Sequence, residues 1–245
     1  MNTILPMGKS FVSHDIFSIG VRGTLRRRDR DDLEPGADPS FPLTEDSLIK
    51  VFQKAERYVQ LHFSEDIDYS IEAIHPGTLK CMTKKDFYLQ YAYVVYNCGF
   101  RNSVVVAKWP RLREAYRDFH TVYVSKYPAQ VYSEAIEIIA HKSKTKAIVD
   151  AARTIRALDW PSFKEAVKDD FMTLKRFPFI GDVTVYHLAR NMGVDTIKPD
   201  VHLRRMAARY GLDPFTMCNR IHEETGLTLH MIDTIIWRAS EQGII

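Results

Sequence analysis

Cysteine is scarce. The 245-residue chain has three, Cys81, Cys98 and Cys218, far apart and in no spacing that holds zinc or an iron–sulfur cluster. A reduced protein with neither metal nor cofactor is the expectation. No run of 18 apolar residues exists, which argues against a membrane span. The opening MNTILPMGKSFVSHD lacks a basic segment followed by an apolar one and so reads as no signal peptide. There is no internal repeat of fixed period and no low-complexity tract. These absences point to a non-secreted protein of the cytoplasm, at the nucleoid, or of the nucleus. Charge of one sign is also in short supply overall, with a net of only +3.

What is present fits a globular fold. At 45% hydrophobic and 27% charged, the composition is neither disordered nor fibrous. The length is about 1.6 average domains, room for one large domain or two lobes sharing a cleft. The small net charge hides an uneven distribution. Residues 101–128, 141–156 and 198–209 carry +4, +4 and +3, leaving −8 for the rest. Basic groups gathered this way suit either a polyanion-binding face or solvated helix faces.

Residues 1–45 read differently from the remainder. Phe11 to Leu25 is strand-like but broken by Gly20 and Gly23, and a charge run from Arg26 to Asp32 leads into a loop with Pro35, Gly36, Pro39 and Pro42. An extended or β-like arm is expected there. From residue 46 onward the pattern is helical. Thr44 can cap a first helix whose inward stripe is Leu48, Phe52, Ala55 and Val59. Residues 86–97, DFYLQYAYVVYN, are apolar almost all round, as in a buried helix. Further stripes are Leu112, Ala115, Tyr116 and Phe119; Ala147, Ile148, Ala151, Ala152 and Ile155; Val185, Leu188, Ala189 and Met192; Leu203, Met206, Ala207 and Tyr210; and Leu229, Ile232, Ile235 and Ile236. Ser162 and Glu165 have capping-box spacing, opening a helix expected to reach Arg176. The expectation is an all-α protein of about ten helices in two lobes with a central cleft.

The informative stretch is Leu174 to Arg205, which reads as helix, tight turn, helix, loop, helix. Pro178 and Gly181 bracket the turn, Pro fixing one φ and Gly allowing the opposite sign. The next helix is expected from Asp182, and its free N–H groups and positive dipole end suit a phosphate. Pro199 stops helix continuation, and Asp200 stands where an N-cap belongs. Phe177, Pro178, Ile180, Gly181 and Thr184 match the helix–hairpin–helix pattern in register, and Asp200-Val201-His202 followed by Arg204-Arg205 stands 19 residues past Gly181. Together they resemble the helix–hairpin–helix base-excision DNA glycosylase superfamily. Tyr91 to Leu112 and Ser143 to Ala151 extend the likeness, which covers roughly residues 86–240.

The resemblance implies a glycosylase acting, as a monomer, on double-stranded DNA that carries a damaged or modified base. Asp200 is its expected catalytic carboxylate, which would stabilise the positive charge that builds on the sugar; helix capping is the plainer use of the same residue. Expected DNA contacts are Ile180, Gly181, Asp182, Val183 and Thr184 of the hairpin with Lys175, Arg176 and Arg204. Arg101, Asn102 or Phe100, in the loop after the apolar helix, would fill the gap left by a flipped nucleotide. Phe87, Tyr91, His187 and Trp237 are the expected lining of the base pocket, and His202 is expected to make a structural hydrogen bond. The chain also departs from the pattern. Phe179 takes the place of the first hairpin glycine and Val185 that of the usual alanine. Val183 stands where bifunctional members carry their Schiff-base lysine, so hydrolysis without strand cleavage is implied. Lys198 is an alternative amine for a glycosylase/lyase. A non-catalytic DNA-binding protein and an α-helical interaction protein are the other readings.

Overall fold

The computed structural model describes residues 45–73 and 78–245. The expected N-terminal arm and the Thr44 cap lie outside the described residues. Among the described residues there are thirteen α-helices, one 3-10 helix and no strand. The helix total exceeds ten because several are single turns or short pieces that hydrophobic periodicity cannot separate.

Two apolar cores divide the structure. The first is built by α3 (Thr78–Cys81), α4 (Lys84–Asn97), α5 (Asn102–Ala115), α6 (Thr121–Lys126), α7 (Pro128–Ile138), α8 (Lys142–Ala157), α9 (Trp160–Asp169), the 3-10 helix Phe171–Arg176 and α10 (Thr184–Asn191). Both ends of the chain make the second: α1 (Glu45–His62) and α2 (Ser64–Ala73) pack with α11 (Val201–Arg209), α12 (Pro214–Thr225) and α13 (Leu229–Glu241). The anticipated stripe Leu48, Phe52, Ala55 and Val59 is fully buried in this second core.

α4 is the axis of the first core. Thr83 and Asp86 form its capping box, Asp86 N donating to Thr83 Oγ1 (3.2 Å) and Thr83 N to Asp86 Oδ2 (2.9 Å). Its tyrosines bury rings and find partners for their hydroxyls, as burial of a phenol requires. Tyr88 donates to Ile148 O (2.8 Å) and Tyr91 to Pro178 O (3.0 Å), which ties the hairpin to the core.

The stretch 160–176 is not one helix. α9 begins at Trp160, because Pro161 suits a first turn and Asp159 precedes it as N-cap. Ser162 is already inside the helix and donates to Asp159 Oδ2 (2.5 Å), so it cannot cap. Asp170 then leaves helical conformation (φ −149°) and accepts from Met172 N (2.9 Å), starting the separate 3-10 turn.

The hairpin also differs from expectation. The residue with positive φ is Phe179 (φ +65°), not Gly181. Thr184 causes this: its Oγ1 accepts from Gly181 N (2.7 Å) and donates to Phe179 O (2.9 Å), locking the turn and moving the start of α10 from Asp182 to Thr184. A Cβ in left-handed conformation costs roughly 1–2 kcal/mol, whereas glycine there loses roughly 0.5–1 kcal/mol of extra chain entropy on folding. Phe179→Gly is therefore expected to be as stable as the wild type, or up to about 1 kcal/mol more so, in urea unfolding. A clear loss of stability would show instead that the ring itself holds the turn.

Candidate functional site

A cavity of about 270 Å³ lies where the two cores meet. From the first core it receives Tyr93 and Asn97 of α4, Phe100 and Asn102 of the following loop and helix, and His187, Arg190 and Asn191 of α10. From the second come Asp66 of α2, Lys198 and Asp200 ahead of α11, and His230, Asp233, Thr234, Trp237 and Arg238 of α13.

Asp200 is placed by local geometry. Asp200 N donates to Lys198 O (2.6 Å), a tight turn centred on Pro199. Its Oδ1 accepts from His202 N (2.9 Å) and Leu203 N (3.4 Å), so the carboxylate caps α11. Oδ2 lies 3.7 Å from Lys198 Nζ, and the side chain remains 15% exposed on the cavity wall. Capping and access to the cavity thus coexist in one carboxylate, one oxygen for each. His202 Nδ1 is 2.9 Å from Ser240 Oγ, a structural bond between α11 and α13.

Behind this wall sit charges that sequence reading did not single out. Arg190 of α10 pairs with Asp233 of α13 (2.8 Å) and also donates to Thr234 Oγ1 (3.0 Å) and His230 O (3.3 Å). Asp233 Oδ2 accepts the Lys198 amide as well (2.6 Å), which fixes the strand that delivers Asp200. Arg238 Nε meets Asp66 Oδ2 at 2.5 Å, joining α13 to α2. The available signal was the polar content of α13, where His230, Asp233 and Arg238 interrupt an otherwise apolar helix at buried positions. Burial is the main cause holding both histidines neutral. His187 lies well below the ordinary value, helped by Lys198 and Arg190, and His230 is pushed down to about 2, helped by Arg190. Burial raises Asp233, while Arg190 opposes it.

The anticipated site residues separate into three groups. His187, Trp237, Asn102 and Asp200 converge on the cavity, and Tyr93 donates its hydroxyl to Asn102 Oδ1 (2.7 Å). Phe87 and Tyr91 do not reach it; both are fully buried in the first core, each in ring contact with Phe177. Helix α4 is buried all round, and periodicity could not tell which of its faces meets the cavity. The remaining residues are outside the cavity. Arg101 is exposed as the N-cap residue of α5. Lys175 pairs with the exposed Asp182 (2.7 Å), and Arg176 lies over the rings of Phe163 and Phe177. Arg204 Nε donates to Pro199 O (2.9 Å), bracing the Asp200 turn. Ile180 is a core residue whose amide donates to Phe177 O (3.2 Å). Gly181 N is spent on Thr184, whereas the amides of Phe179, Asp182, Val183 and Thr184 make no hydrogen bond within the described residues.

Among the described residues no group of His, Cys, Asp or Glu is arranged to hold a metal ion, and no helix is long and apolar enough to cross a membrane. Comparison of the chain with protein-family models, with curated proteins and with solved structures finds no match.

The two neutral histidines give the fold a pH dependence. Each has a folded-state value below the ~6.5 of a free histidine, so the unfolded chain binds more protons and stability falls as pH drops below ~6.5. For His230 the loss continues until the pH approaches about 2. Asp233, raised by burial, acts in the opposite direction at lower pH. Stability measured by urea unfolding should decline between pH 7 and pH 5, by about 1–2 kcal/mol for each histidine. His187→Gln with His230→Gln should flatten that slope, and an unchanged slope would mean that these rings ionise freely in the folded protein.

Proposed function

We propose that this chain is a DNA glycosylase, which turns a damaged or modified base out of double-stranded DNA and hydrolyses its N-glycosidic bond. The observation that carries this reading is Asp200. A carboxylate with one oxygen spent on its helix cap and the other turned to a cavity with aromatic walls stands beside the helix that follows the hairpin. The resemblance of residues 174–205 to helix–hairpin–helix glycosylases supports the same assignment. His187 lies one turn into α10, so a strand held at the hairpin would run past the mouth of the cavity.

In this reading the flipped base enters between Tyr93, Phe100 and Trp237, and Asp200 lies under the sugar. As the bond from C1′ to the base nitrogen breaks, the base leaves with the electron pair and positive charge spreads over C1′ and the ring oxygen. The Asp200 carboxylate offsets that charge from the wall of the cavity. Water then bonds to C1′, and its proton passes to Asp200 or to solvent. Arg101, exposed in the loop just ahead of α5, is the loop residue left to occupy the space vacated in the duplex. The amides of Phe179, Asp182, Val183 and Thr184 are the hairpin donors left for a phosphate.

Asp200→Asn separates chemistry from holding. Asparagine caps helices as well as aspartate does, so the fold and the affinity for DNA should be retained. Single-turnover release of the base should fall by about 10²–10⁴-fold. Release undiminished in this variant would remove Asp200 from the reaction, and affinity for DNA without any release in the wild type would leave a binding protein.

The amine of Lys198, 3.7 Å from Asp200, gives a specific basis for the second reading, a glycosylase/lyase. The Asp200 carboxylate pairs with that amine, which ties up the nitrogen a Schiff base needs. Borohydride treatment on abasic duplex is therefore expected to leave no covalent protein–DNA adduct. An adduct that disappears in Lys198→Gln would establish the lyase instead.

A further inference from the structure

We infer that the cavity selects an uncharged base and turns away cationic, ring-alkylated ones. This rests on reading the cavity as the place that receives the base, and it names the class of base from the groups that line it.

An aromatic wall ordinarily attracts a cation through the negative face of its ring. Two of the three aromatic residues here already serve a cation of the protein's own. Lys144 Nζ lies 4.6 Å from the centre of the Phe100 ring, and the Arg238 guanidinium carbon lies 4.6 Å from that of Trp237. Both cations are buried, with 3% and 5% of their surface exposed, so water screens them little. Lys144 is fixed there by the carbonyls of Tyr96 and Cys98 at the end of α4. Arg238 is fixed by Asp66 and Glu241. A second positive charge beside either ring would meet a π-system already drawn toward the first, with the two charges repelling one another.

The carboxylates offer no compensation. Asp66 is matched by Arg238 and Asp233 by Arg190, while Asp200 has Lys198 beside one oxygen and two amides on the other. Each of the three acids that line the cavity therefore has its own cation. Burial holds His187 neutral, and Lys198 and Arg190 push the same way, as positive neighbours of a titratable group do. A neutral base with carbonyl and amide edges is treated differently. It stacks against the rings without repulsion and meets the side-chain amides of Asn97, Asn102 and Asn191, which suit such edges.

The test uses a pair of rings of nearly equal shape and different charge, 9-methylguanine and the cationic 7,9-dimethylguaninium, titrated calorimetrically into the full-length protein at about pH 6, where the latter keeps its N1 proton and its charge. The neutral ring is expected to bind at least about tenfold more tightly, the scale of a single desolvated cation–aromatic interaction. Lys144→Met keeps the stem beneath Phe100 but removes the charge, and should narrow that ratio by at least about threefold. Equal or tighter binding of the cation, or no saturable binding of either ring, would overturn the inference. Base release from duplexes is scored separately. Release of 7-methylguanine that exceeds its spontaneous rate by as much as release of an uncharged modified base does would sink the selectivity and leave the glycosylase standing. Ring discrimination with no release from any duplex supports the selectivity and removes the glycosylase.

Discussion

The interaction on which the rest depends is the buried pair between Arg190 and Asp233. It is the point at which the first core, through α10, holds the second, through α13. Such a pair is expensive to desolvate, and an apolar contact of similar volume would often serve stability as well. What the pair supplies is placement. Asp233 accepts the Lys198 amide at the same time, so the segment between α10 and α11 is pinned two residues before Asp200. The guanidinium reaches Thr234 and the His230 carbonyl, fixing the rotation of α13 and with it the position of Trp237. Position along the cavity wall is thus set by charge rather than by the shape of packed side chains.

Much of the fold was legible because burial repeats with the helix. Every member of the stripe Val185, Leu188, Ala189 and Met192 is buried, as is every member of Leu203, Met206, Ala207 and Tyr210. The exceptions have local causes. Periodicity is blind to a break such as Asp170, where a side chain outcompetes the helix for an amide. It is equally blind to Phe179, since nothing in a residue type announces a positive φ that a neighbouring threonine enforces. Asp200, His187, Trp237 and Asn102, expected from the resemblance, all share one cavity. Phe87 and Tyr91 were not separable from the core, because composition alone cannot orient a helix that is apolar on all sides. Arg190, Asp233 and Arg238 escaped notice because a charged residue in an amphipathic helix is ordinarily solvated.

Asp200 shows how a helix cap and an accessible carboxylate coexist in one side chain. A capping residue uses one oxygen and leaves the second outside the helix bonding. The other oxygen is then presented in a fixed direction, since the first is tethered to two amides. Arg204 extends the same logic by bracing the Pro199 carbonyl, which makes it a support of the turn as well as an exposed cation. A side chain that reads as a surface phosphate contact can in this way be part of the scaffold.

The second lobe gives residues 46–73 a role that their sequence did not suggest. α1 and α2 are remote in sequence from α13, yet Asp66 of α2 is the acid that neutralises Arg238, and Ser70 bonds Thr234 Oγ1 (3.0 Å). Without α2 the Arg238 guanidinium would be a buried charge lacking its closest carboxylate, a state too costly to persist in place. It would turn toward solvent or toward Glu241, and Trp237, its neighbour in α13, would lose the cation at its face. The electrostatic character of the cavity is therefore a property of the second lobe as well as of the motif residues 174–205. A fragment that kept the hairpin and Asp200 but lacked α1 and α2 would keep the lettering of the site and lose its charge balance.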